Sequence, residues 1–147
     1  MTYSKSDHAA LLLRVSMGAM FFAHGFVLKY LTFTPAGTAQ YFASIGYPAF
    51  TGYVVIAAEI LGGLALVAGV GVRIVSLAFV PLMVGAALQH VGNGWVFSAP
   101  GGGYEFPVFW TAALLVQALL GPGAYALGGA ARPASGASEG NLAPANA

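Results

Sequence analysis

"YVVIAAEILGGLALVAG", residues 53–69, is apolar at every position but one. Glu59 stands near its middle, with no Lys, Arg or His in the same stretch. Such a run predicts a helix in lipid, where an ionised side chain is costly and turns to the bundle interior beside a partner. The partner of Glu59 therefore decides how the other segments are arranged around it.

The rest of the chain fits this setting. Of its residues 59 % are hydrophobic and 6 % charged, against roughly a quarter charged in soluble domains. At about 20 residues per span, 147 residues accommodate about four spans. Apolar runs occur at 9–31, 50–72, 74–95 and 104–127. The expected fold is an all-α integral membrane protein, a four-transmembrane-helix bundle forming one domain over 9–127, after a short N-terminus at 1–8. Lys5 resembles the n-region of a signal peptide, but the first run outlasts an h-region of about 7–15 residues and lacks a small-x-small exit, so a retained helix is expected.

The connections carry their own signals. In "TFTPAGTAQYFASIGYP", residues 32–48, Tyr41, Phe42 and Ile45 fall at helical spacing, predicting a short interfacial helix closed by Gly46 and Pro48. Pro81 falls inside the third run and predicts a kink. "GNGWVFSAPGGG", residues 92–103, reads as a loop. The segment 128–147, rich in Gly, Ala, Ser and Pro, lacks large apolar residues and is expected to be a disordered tail. Lys5, Arg73 and Arg132 fall on one side of the four-span arrangement and Lys29 on the other, which predicts cytoplasmic N- and C-termini. The five basic residues are dispersed and cysteine is absent. Membrane lipids are thus the expected surroundings; nucleic acid is excluded as a partner, and so are disulfides and Cys-ligated or Cys-attached redox groups.

Helix rise converts position into depth. From the cytoplasmic boundary, Arg14, Glu59 and Gln117 come out at about 8, 16 and 12 Å, an inner polar layer in which Arg14 is the expected partner of Glu59. His24 and His90 come out at about 22 and 25 Å, with Gln89 beside His90 and with Lys29 and Glu105 at the outer boundary. Ala58, Gly62, Ala65 and Gly69 form a small-residue stripe, flanked by Glu59 and Gly63, that predicts close helix packing. Ala113, Gln117 and Gly121 form a weaker seam on the last helix.

In this order, "LLLRVSMGAMFFAHGFVLKY" (11–30), "AAEILGGLALVAGVGVR" (57–73), "GGGYEFPVFW" (101–110) and "LLGPGAYAL" (119–127) resemble the signatures of the DoxX family of small bacterial membrane proteins. The family's arginine and His-Gly-x-x-x-Lys fall on Arg14, His24, Gly25 and Lys29. Its glutamate, paired glycines and later arginine fall on Glu59, Gly62, Gly63, Gly69 and Arg73, and the start of its last helix on Tyr104, Glu105, Phe106 and Pro107. The resemblance implies a four-helix protein of the bacterial inner membrane, associated with thiosulfate or quinol oxidation and other redox assemblies.

Each polar feature has a structural reading beside a functional one. Arg14 and Glu59 serve as a structural pair or as a group handling protons or a quinone headgroup. His24 and His90 are satisfied interior histidines, a hydrogen-bonding pair for a quinone carbonyl or a proton relay to the outer surface, or axial ligands of a b-type haem; close-packed helices argue against haem. No metal-ligand cluster is apparent. Lys29 and Glu105 snorkel to the outer interface or, with Tyr104, rim a pocket mouth. Three functions follow: a subunit or accessory of a quinone-linked redox system, a non-catalytic membrane anchor for a soluble redox or metal-handling protein, and a small transporter or lipid-handling protein. The lack of an internal repeat places transport last.

Overall fold

The computed structural model describes residues 2–128; the segment expected to form a tail lies, but for Gly128, outside them. All regular structure among the described residues is helical: α1 (Lys5–Phe22), continued by a π-helical segment (Ala23–Thr32), then α2 (Pro35–Ser44), α3 (Phe50–Ala68), α4 (Val72–His90), a short 3-10 turn (Val91–Asn93) and α5 (Glu105–Leu120). Three stretches are long and apolar enough to cross a membrane, Lys5–Thr32, Phe50–Ala68 and Val72–Asn93, and Glu105–Leu120 is a shorter apolar helix. Outward-facing side chains such as Leu12, Leu61, Ile74 and Leu119 are exposed, as lipid-facing positions are.

Local chemistry sets the boundaries. Ser4 and Asp7 form a reciprocal capping box at the start of α1. Thr34 caps the start of α2 at φ 62°, a strained conformation for a β-branched residue, while its Oγ1 accepts from Gly37 N at 3.2 Å and Pro35 opens the helix. Gly69 caps α3 in the left-handed region at φ 77°. Gly121, at φ 81°, stops α5 seven residues before the sequence-based boundary at 127. Residues 121–128 instead fold back across that end of the bundle: Ala124 N donates to Asp7 O at 3.0 Å and Leu127 N to Ala68 O at 3.0 Å.

The helices pack as two pairs. α1 lies closely along α3, with α2 against α3, and α4 lies closely along α5; contacts between the pairs are sparser. Gly18 and Gly63 let α1 and α3 approach, since a Cβ on either would stand 2.7 Å from the other's carbonyl oxygen. The expected small-residue stripe is corrected here. The face of α3 that is buried is Gly52, Val55, Ile56, Glu59, Gly63 and Leu66, and Ala58 is exposed. Gly62 makes room for the Phe79 ring of α4. Glu59 therefore sits in the packing stripe and not beside it. The seam Ala113, Gln117 and Gly121 is buried as expected. Between the pairs the core is filled by residues such as Met17, Leu66, Val72 and Leu114, and by Phe21 stacked on Phe79 at 3.9 Å with the planes 6° apart.

Gly63→Val should lower the melting temperature in detergent by several degrees, consistent with about 1–3 kcal/mol of overpacking. Gly85→Ala, where an added Cβ meets nothing within 4 Å, should leave it unchanged or slightly higher. Thermal unfolding of both variants checks the α1–α3 approach.

Candidate functional site

The partner of Glu59 is Lys29. Its Nζ donates to both carboxylate oxygens, at 2.9 Å to Oε1 and 2.7 Å to Oε2. The glutamate side chain is 3 % exposed and the lysine 20 %, so the pair faces an opening with its cationic member outermost. The expected pairing with Arg14 is not made. Arg14 Nη2 donates to the Ala124 carbonyl oxygen at 3.1 Å, and a Cβ on Gly69 would overlap Arg14 Nη1. Glu59 lies ten residues before Gly69, about 15 Å along the helix axis. The depth count put Arg14 within about 8 Å of the level of Glu59; Arg14 sits instead at the Gly69 end of α3, and Lys29 turns inward to the carboxylate.

The π segment explains that turn. In an α-helix, residues five apart differ by about 140° around the axis, so His24 and Lys29 would face different neighbours. With i→i+5 hydrogen bonding, seen where Phe33 N donates to Leu28 O at 2.8 Å, residues five apart return to nearly the same side. His24 and Lys29 then line one wall, with Gly25 between them pressed so closely on α3 that a Cβ would stand 2.8 Å from Glu59 Cβ. Nothing in the one-dimensional pattern distinguishes this segment from ordinary helix.

The wall borders a cavity of about 1220 Å³ between the two helix pairs. Lys29, Glu59 and His24 face it from one side, Gln89 and His90 from α4, and the remaining surface is mostly apolar and aromatic, including Phe106 and Trp110. Tyr41, Phe42 and Ile45 also line it. The helix expected at the interface is thus a wall of the cavity, tied to the pair where Thr38 Oγ1 donates to Lys29 O at 3.2 Å. His24 is fixed by Met20 O, 2.9 Å from Nδ1, and by Trp110, edge-on with centroids 5.1 Å apart. The Nε2 edge of His90 packs beside Gly102, where a Cβ would be 3.6 Å away, and its Nδ1 is buried with no partner among the described residues.

Of the candidate site residues, His24, Glu59, His90 and Lys29 come together at this cavity. Arg14 and Gln117 do not. Both are fully buried near the end closed by 121–128, where Gln117 Nε2 donates to Gly121 O at 2.7 Å. Tyr104 and Glu105 are absent from the lining. They shape the loop before α5: Glu105 Oε1 accepts from Phe97 N at 2.8 Å, and Tyr104 packs edge-on against Trp95. Thr38 and Trp110 were not singled out from sequence, because a threonine in a connection and a tryptophan in an apolar run carry no signal of their own. Among the described residues no three His, Asp or Glu side chains converge as a metal site. A shallower apolar groove of about 390 Å³ between α4 and α5 has no ionisable residue in its lining.

The profile of the family described as DoxX matches residues 9–92, more than half of the 147 residues. The chain belongs to the DoxX family. The matched region holds α1 to α4 and therefore Arg14, His24, Lys29, Glu59 and His90; Tyr104, Glu105 and Gln117 lie beyond it. This DoxX protein is also similar to "Putative oxidoreductase CatD" of Bacillus subtilis (strain 168), with 42 % identity over 78 residues, 53 % of this chain and 56 % of that protein. The match thus spans little more than half the length of this curated relative. No solved structure matches closely.

Lys29→Met and Glu59→Gln should each lower thermal stability, because removing one member of a buried pair strands the other, a cost of roughly 3–5 kcal/mol in soluble proteins. The double variant should recover much of the loss. A second cycle, Arg14→Met with Glu59→Gln, should be additive. Melting temperatures of the two cycles distinguish the Lys29 partnership from the expected one with Arg14.

Proposed function

We propose that this DoxX protein is the membrane-embedded, ligand-holding part of a redox system, and that its cavity takes the ring of a quinone or quinol. The observation that carries this is the cavity itself: one charged pair, two histidines and a glutamine on walls otherwise apolar and aromatic. That composition suits a planar apolar ring with polar oxygens at its edge, oriented by a few polar groups. In this assignment the ring lies between α3 and α4 among Phe106, Trp110 and Met83, with its oxygens toward His24 and Lys29. A bound quinone would supply electron-carrying capacity; the chain's own residues hold and orient it, exclude water and offer hydrogen bonds. The oxidoreductase name of the Bacillus relative supports a redox role. The site is assigned as haem-free, since His90 packs its Nε2 edge beside the Gly102 backbone.

The topology belongs to the same proposal. The three long apolar stretches and the shorter α5 all cross the bacterial inner membrane in this reading, α5 with the help of the fold-back at 121–128. Both termini are cytoplasmic. Lys29 is consumed by Glu59 inside the bundle, so among the described residues the basic side chains near the helix ends, Lys5 and Arg73, share one end. A soluble or membrane redox partner would complete the electron path.

Mass spectrometry of protein gently purified in detergent should find a retained quinone, much reduced in Ala86→Trp, which puts a bulky ring on the α4 wall of the cavity. Retention unchanged by that variant would argue against the site. The same preparations should show no Soret band. A C-terminal reporter active only in the periplasm would overturn the orientation.

A further inference from the structure

The two nitrogens of His24 are not equivalent. Nδ1 lies 2.9 Å from the Met20 carbonyl oxygen, and a carbonyl only accepts. The ring hydrogen of neutral His24 is therefore on Nδ1, and Nε2 presents a lone pair. Nε2 has no hydrogen-bond partner among the described residues and is not among the buried, unpartnered atoms, so it is reachable from the cavity that His24 lines. The orientation is held from behind: Trp110 meets the imidazole edge-on at 5.1 Å and is itself backed by Phe21 at 4.9 Å.

On the same wall, Lys29 directs two hydrogens at the Glu59 oxygens, 2.9 and 2.7 Å away. An ammonium has three, so one remains. The wall thus offers one acceptor and one donor along the strip that the π segment aligns. A hydroxyl matches the acceptor by donating to Nε2. An ether or carbonyl oxygen accepts only, and would leave Nε2 desolvated without a donor, a mismatch that polar sites discriminate against strongly.

We infer that His24 is the specificity-determining acceptor of the cavity, and that the site takes hydroxylated aromatic rings of the phenol or hydroquinone class in preference to their ether or carbonyl counterparts. This rests on the assignment of the cavity as a ring-binding site and adds the chemical form that it selects.

The test uses the full chain in detergent with a matched probe pair, para-butylphenol and its methyl ether, measured by calorimetry. The phenol should bind roughly tenfold tighter, the worth of one well-formed hydrogen bond in a dry site, and the preference should vanish in His24→Leu. Nitrogen-15 spectra of the ligand-free wild-type protein, which do not depend on the variant folding, should show His24 protonated at Nδ1 and bare at Nε2. Equal binding of the two probes, a preference that survives His24→Leu, or protonation at Nε2 would overturn the role of His24 while leaving ring binding intact. Failure of both probes to bind would overturn ring binding itself, and this inference with it.

Discussion

A carboxylate at the middle of an apolar helix must be neutralised where it stands, and Lys29 meets that requirement for Glu59 by donating to both oxygens. Much of the architecture is arranged to make this contact possible. Gly25 allows the first span to press against α3 at Glu59, and the π-helical segment turns Lys29 and His24 to one side. Thr38 then anchors α2 to the carbonyl of Lys29. The pair joins three elements, and the cavity opens beside it.

The two ends of the bundle solve opposite problems. Toward the Arg73 end, the helix pairs are filled by close-packed apolar residues and closed by 121–128. Arg14, 1 % exposed, is held there by the Ala124 carbonyl and by the space that Gly69 leaves, so its role is to fasten the fold-back onto α1 and α3. Toward the Lys29 end the pairs part, and α2 and the loop before α5 supply walls in place of helix-to-helix contact. Gly121, Gly69 and the fold-back hold the bundle together at one end, which leaves the other free to enclose a volume too large for side chains to fill.

The division also separates the two groups of polar residues by chemistry. At the closed end, Arg14 and Gln117 bond backbone carbonyls of the fold-back segment, an arrangement that fixes structure. At the open end, His24 and Lys29 keep hydrogen-bonding capacity that the protein itself does not use. What distinguishes the open end is that its free capacity faces a cavity, whereas the unpartnered Arg14 Nε and Nη1 and Gln117 Oε1 are sealed inside the closed end.

Sequence by itself determined the all-helical, membrane-embedded character, the positions of the apolar runs, the breaks at 32–48 and 92–103, the family, and the inward burial of Glu59, Arg14 and Gln117. These follow from composition and the apolar period, which local residues encode directly. It also singled out His24, Glu59 and His90, since polar groups in apolar runs are conspicuous. Tertiary structure alone decided who meets whom. Depth along a helix favours Arg14 over Lys29 as the partner of Glu59; the structure reverses that choice because Arg14 is held at the Gly69 end by the Ala124 carbonyl, while the π segment turns Lys29 toward α3 by more than a quarter turn without any mark in the residues. The displaced packing face of α3, the early stop of α5 and the role of α2 as a wall have the same origin: each depends on which neighbouring backbone comes close, and a single chain's pattern does not record that.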